Sequence, residues 1–295
     1  MDFQPTEQLG QSAVEYVPGE DGTRLAVRVS GSSGTRTPIV LLHGLQSHSG
    51  WFVQSQRFLG HLGCPVYALD RRGSGLSDGE RRECRDFREM MQDVRAVVDC
   101  ARTRHGVEKV HLFGHCFGAI PAVLFATGYP EMVASLIQAS SGIHTKVSAS
   151  FGRKLEILWS KTSRLPACIP IPLRAEMFSE LKECVRFIHE DEMRLRTATA
   201  SFYFEVVRAR RFIQAHRHLL TMPQFMANAG DDPICDHAAN ERFFWSLPAR
   251  HKLLVRYDRS RHVIEFSEQR DDFFRDLAWW LDRFGGERYA PSVAL

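Results

Sequence analysis

The sequence predicts an α/β fold: a mostly parallel central sheet with helices on both faces and an inserted helical cap. Three observations predict it. Short apolar runs at 38–42, 65–70 and 110–113 end in loops rich in glycine and polar residues, the pattern of strands buried on both faces. Segments of helical spacing separate such runs, as a parallel sheet requires of its crossovers. One long stretch, residues 144–221, breaks the alternation with helical sequence interrupted by Pro166, Pro170 and Pro172. The expected organisation is a core of residues 1–143 and 222–295 with a cap of residues 144–221 between its halves.

The elements follow in order. Ala13–Pro18, a Gly19–Gly22 turn containing Asp-Gly, and the alternating run 23–30 read as a β-hairpin. The strands at 38–42 and 65–70 come next, then a helix over 86–104 with Met90, Val94, Val97, Val98 and Ala101 on one face. The strand at 110–113 runs into Gly114-His-Cys-Phe-Gly118 and a small-residue helix over 119–127. Strands at Val133–Ala139, 224–230 and Lys252–Tyr257, with helices at 237–246 and 267–284, complete the set.

Composition excludes several classes. Of 295 residues, 44% are hydrophobic and 25% charged, a globular balance that is neither disordered nor collagen-like. No uninterrupted apolar stretch approaches the ~18 residues of a membrane span, and residues 1–10 lack the basic and apolar regions of a secretory signal. A net charge of +3 is too balanced to argue for nucleic acid. The seven cysteines are scattered without a CxxC pair, so neither zinc nor a disulfide framework is expected. Buried thiols in a reducing, cytoplasmic setting are expected instead. No cofactor is implied.

The chemistry gathers at Cys116. Its strand–turn–helix context is that of the G-x-S-x-G nucleophile elbow, with sulfur in place of the hydroxyl. A side chain there stands at a helix N-terminus, which favours the thiolate. The Leu45 and Phe117 N–H groups are the expected oxyanion donors, one after the first buried strand and one directly after the nucleophile. Among the thirteen histidines, His262 has the best context for the base, in the loop after the last strand. His111 lies within a strand, and His216 and His218 in the basic cap. Asp232, after the strand at 224–230, is best placed as the orienting acid; Asp231 and Asp236 remain alternatives, the latter also as a helix cap.

With these residues in view, the chain resembles the α/β-hydrolase superfamily, and within it the monoacylglycerol-lipase-like, serine aminopeptidase S33-type group. The resemblance covers nearly the whole chain. It rests on Leu42-His-Gly-Leu-Gln-Ser-His-Ser49, Asp70-Arg-Arg-Gly-Ser-Gly-Leu-Ser-Asp-Gly79, the elbow, Ala229-Gly-Asp-Asp-Pro-Ile-Cys-Asp236, and His262 with the Trp279-Trp280 helix behind it. It implies a Ser-His-Asp hydrolase with a lid over an apolar acyl pocket. The departure is Cys116 in the serine position, similar to the cysteine elbows of dienelactone hydrolases and polyhydroxyalkanoate synthases.

Cysteine turns the acyl-enzyme from an ester into a thioester. Exchange with a thioester donor is then near thermoneutral, and the acyl group stays activated toward water or another acceptor. The leading expectation is a thioesterase or acyltransferase, with an acyl ester or thioester substrate carried by CoA or an acyl-carrier protein. The cap, with 14 Lys+Arg against 8 Asp+Glu, would suit such phosphates. A lipase-like carboxylesterase with Cys for Ser, native or introduced, is the alternative. A ligand-binding protein on a hydrolase scaffold is the third reading. Phe202, Tyr203, Phe204, Val206 and Val207 read first as plain core and second as pocket lining. Arg208, Arg210, Arg211, Arg217 and His218 read first as solvated surface.

Overall fold

The computed structural model describes residues 12–147 and 168–285. The segment 148–167 of the expected cap, with Pro166, lies outside the described residues, as do 1–11 and 286–295. Ten strands occur among the described residues: β1 (Ala13–Pro18), β2 (Arg24–Ser30), β3 (Ile39–Leu42), β4 (Val66–Leu69), β5 (Val110–His115), β6 (Val133–Ala139), β7 (Cys168–Pro170), β8 (Thr197–Thr199), β9 (Gln224–Ala229) and β10 (Lys252–Tyr257). Eight of them form one sheet in the order β1-β2-β4-β3-β5-β6-β9-β10. The β1–β2 and β2–β4 pairs are antiparallel and every other pair is parallel.

The helices are α1 (Val53–His61), α2 (Phe87–His105), α3 (Ala119–Gly128), α4 (Lys182–Glu190), α5 (Ala200–His216), α6 (His237–Ser246) and α7 (Arg270–Phe284). Side chains of a strand alternate between its faces. Val40 and Leu42 of β3 therefore enter the core beneath α2, α3 and α5, whereas Ile39 and Leu41 enter the opposite core with α1 and α7. Burial on both sides explains why β3, β4 and β5 read as continuous apolar runs. Helix α2 is bounded chemically: the Asp86 side chain accepts from Arg88 N–H, and Gly106 closes it at φ 62°.

The structure departs from the expected elements in three places. Helix α1 was not predicted, because VQSQRFLGH carries too few apolar residues to show a stripe. Helix α7 starts at Arg270 rather than at residue 267, since Ser267, which closes a separate short helical turn at 264–266, has extended backbone. No strand was expected within residues 144–221, yet β7 and β8 pair there as a small antiparallel sheet. Three-residue strands, one ending in proline, are too short to show alternation. That segment leaves the sheet after β6 and returns at β9, and its helix α5 packs against α3. No helix among the described residues is long and apolar enough to cross a membrane.

Candidate active site

Cys116 follows β5 at the sharp turn into α3, with φ at 52°. A left-handed backbone costs a residue with a Cβ about 1–2 kcal/mol. Close packing holds it there. A Cβ on Gly114 would come within 2.6 Å of Ala119 Cα, and one on Gly118 would overlap the Leu42 carbonyl. Both flanking glycines are thus needed for β5, β3 and α3 to meet. The Gly142 N–H donates to the Cys116 carbonyl at 2.8 Å, tying the elbow to the loop after β6.

The histidine and the acid reach the same point from the last two parallel strands. His262, fully buried after β10, has Nδ1 2.9 Å from Asp232 Oδ2. Asp232, in the loop after β9, is fastened by its other oxygen, which accepts from the Ile234 and Cys235 N–H groups at 2.7 and 3.1 Å. His262 Nδ1 therefore carries the proton toward the carboxylate, which turns Nε2 toward the elbow. The Cys116 Sγ, Cys235 Sγ and a ring nitrogen of His262 lie within 4.8 Å of one another. These three are the group of donor atoms among the described residues close enough together to share a soft cation or a proton.

Electrostatics set the three groups apart. The hydrogen bond from Cys235 draws the Cys116 thiol well below the ordinary range; burial opposes it and the His262 charge adds to it. Burial would lower His262, but the charges of Asp232 and Cys116 outweigh it and push the imidazole up to about 10. Burial likewise pulls against Asp232, yet His262 and His237, whose Nε2 is 3.2 Å from Oδ2, hold its carboxyl far below the usual range. Cys235 goes the other way, raised first by burial and then by the Cys116 anion, so it keeps its proton. These directions favour a buried thiolate beside an imidazolium, while the neutral Cys235 thiol donates to the Ser140 carbonyl at 3.0 Å.

Leu45 and Phe117 line one cavity with Cys116. The His43-Gly44-Leu45 turn is held by a neutral imidazole. His43 Nδ1–H donates to Gly44 O at 2.7 Å, and Nε2 accepts from Arg71 N–H at 2.9 Å. Arg71 braces both sides: its Nη2 reaches the Leu45 carbonyl at 3.3 Å, and its guanidinium lies 5.0 Å from the Phe117 ring. Burial pulls Arg71 down to about 10. The cavity, about 550 Å³, is otherwise mostly apolar.

The remaining sequence candidates fall away from this point. Asp236 caps α6, accepting from Ala239 N–H at 3.0 Å. Asp231 is exposed and pairs with Arg261. His111 is buried against Ser135 Oγ at 2.8 Å, His216 stacks on Phe212, and His218 is exposed. Phe202, Tyr203, Phe204, Val206 and Val207 line the cavity, Phe202 and Val206 from within the core, and one default reading is corrected: Arg210 joins them there rather than standing on the surface. Sequence reasoning did not single out Cys235, His237, His43 or Arg71. Cys235 and His237 lie three and five positions after the acid, and that proximity was the available signal.

A mostly parallel sheet of this order, with a nucleophile elbow leaving its centre, is the architecture of the α/β hydrolases, a class of enzymes. Within that class the chain belongs to the serine aminopeptidase S33 family, whose profile matches residues 34–269. It is 25% identical to human monoglyceride lipase over 272 residues, 91% of this chain and 90% of that protein. In structure it is similar to the monoacylglycerol lipase of Paleococcus ferrophilus, with a TM-score of 0.77 at 22% identity over 88% of this chain and 99% of that one. A soluble variant of the Saccharomyces cerevisiae monoglyceride lipase, in complex with a substrate analog, gives a TM-score of 0.81 at 17% identity, covering 94% and 96%.

Proposed function

We propose that this hydrolase works by acyl transfer through a thioester on Cys116. The thiolate attacks the carbonyl of an ester or thioester, and the Leu45 and Phe117 N–H groups receive the oxyanion. His262 passes its Nε2 proton to the leaving alcohol or thiol as the tetrahedral intermediate collapses. It then takes a proton from water, or from another acceptor, as that nucleophile attacks the thioester. Collapse returns Cys116 as the thiolate. Asp232 holds the ring orientation and stabilises the imidazolium throughout.

The observation that carries this reading is the convergence of Cys235 and His262 on Cys116, which stands on the wall of an apolar cavity. A cysteine packed only as core would have its thiol pushed up, as burial pushes Cys64 up to about 11. The names of the relatives point to lipid esters as the substrate class, and the apolar lining suits an acyl chain. Residues 144–221 serve in this reading as a cap over the cavity, contributing its α5 wall. Charge on that cap favours a phosphate-bearing thioester donor, CoA or a carrier protein. The seven unbridged cysteines fit work in the reducing cytoplasm.

The experiment is intact-protein mass spectrometry after mixing with acyl thioesters and activated esters. A single acyl adduct is expected on the native protein and none on Cys116→Ala; an adduct that survives the substitution overturns the assignment. The likeness to monoglyceride lipases favours a second reading, a carboxylesterase in which sulfur replaces the serine hydroxyl. In that case Cys116→Ser raises turnover of a monoacylglycerol; under the thioester reading it lowers turnover of thioesters.

A further inference from the structure

Arg210 is the one cationic side chain among the described residues that line the cavity. It projects from α5 toward the elbow, where its Nη2 donates to the Gly142 carbonyl at 2.8 Å and lies 3.5 Å from Thr145 Oγ1. Its Nε is buried without a hydrogen-bond partner. No carboxylate among the described residues pairs with it; the groups whose charge it feels are Cys235 and Cys116. The Tyr203 hydroxyl, on the same helix and in the same cavity, is also buried without a partner.

A guanidinium and a phenol left unsatisfied in an apolar wall are both unfavourable. The Cys116 thiolate does not relieve this, because Cys235 and His262 are the groups gathered around its Sγ. What completes the site is an oxyanion arriving with the substrate. Arginine presents a planar fork of donors matched to carboxylate and phosphate oxygens, and a tyrosine hydroxyl adds a further donor. We infer that the part of the substrate filling this cavity carries an anionic group, a carboxylate or a phosphate, bound by Arg210 and Tyr203. The substrate class is then an acyl ester or thioester with an anionic terminus rather than a plain neutral lipid.

This inference rests on the acyl-transfer reading and names its substrate, so the test separates the two. Binding is measured by calorimetry on Cys116→Ala, which carries no thiolate, using two matched pairs. The first pair is the octanoyl and suberoyl thioesters of N-acetylcysteamine, which differ in a terminal carboxylate on the acyl side. The second is octanoylglycerol and octanoylglycerol phosphate, which differ in a phosphate on the leaving group. In at least one pair the charged member is expected to bind about tenfold or more tightly, the value of a hydrogen-bonded charge. The ratio should fall to about 1 in Arg210→Gln on the same background and largely persist in Arg210→Lys.

Equal binding within both pairs, or a preference that survives Arg210→Gln, overturns the inference. Turnover of the same pairs by the native protein reports on the chemistry separately. A charge preference in binding without any Cys116 adduct removes the acyl-transfer reading and leaves the anion site standing. An adduct formed without charge preference does the reverse.

Discussion

At Cys116 a single atom decides the chemistry. Sulfur ionises where a hydroxyl does not, and the lowered Cys116 and raised His262 favour an ion pair before substrate arrives in the proposed reaction. This sets the direction of the pH profile. Activity should fall on the acid side only as pH drops through the lowered Cys116 value. On the alkaline side it should fall as His262 loses its proton near 10. In Cys116→Ser the ion pair is gone, and the reaction needs a neutral His262 still held up by Asp232. Its acid limb should therefore lie higher than the native one by about 1 pH unit or more. Steady-state rates of both proteins from pH 4 to about 10 check this; coincident acid limbs would mean that Cys116 is not ionised at rest.

On the scale of elements, the site depends on how closely β3, β5 and α3 approach. Gly118 sits where a methyl group would overlap the Leu42 carbonyl, at the end of the strand that leads to Leu45. Gly118→Ala must push the elbow and the His43–Leu45 turn apart. Overpacking of this kind costs about 1–3 kcal/mol, readable by urea unfolding. Acylation should suffer beyond that, by about tenfold or more, because misplaced donors hold the oxyanion poorly. Stability loss with an undiminished acylation rate would separate Leu45 and Phe117 from the oxyanion role. The elbow, the strand ends and the order of nucleophile, acid and histidine were legible, because backbone geometry there demands glycine and strand ends demand a change from apolar to polar sequence. Helix α1 and the β7–β8 pair were not, because one lacks an apolar stripe and the other is too short for a period.

Across the whole molecule, Glu265 ties the segment after β10 to α1, 210 positions away in sequence, accepting from Ser55 N–H at 2.9 Å and Ser55 Oγ–H at 2.5 Å. Burial raises its carboxyl to about 7 against the help of those donors. A carboxyl raised on folding contributes its full stability below the unfolded value of 4.5 and loses it as pH climbs toward 7. Glu265→Gln removes the titration. Its stability relative to the native protein should therefore improve between pH 4.5 and 7.5, by about 3 kcal/mol at most. Urea midpoints at the two pH values measure it, and a constant difference would show that the carboxyl ionises normally.

By itself the sequence determined the alternation of strands and helices, the sulfur at the elbow, and the order in which Cys116, Asp232 and His262 occur, since each is written in local spacing. Only the tertiary structure decided which neighbours give those groups their charge. Cys235 stands beside Cys116 across a gap of 119 residues in the chain, and Arg210, which reads as solvated surface, reaches the cavity. Proton affinity and substrate recognition follow distance and burial in space, and a linear pattern records neither.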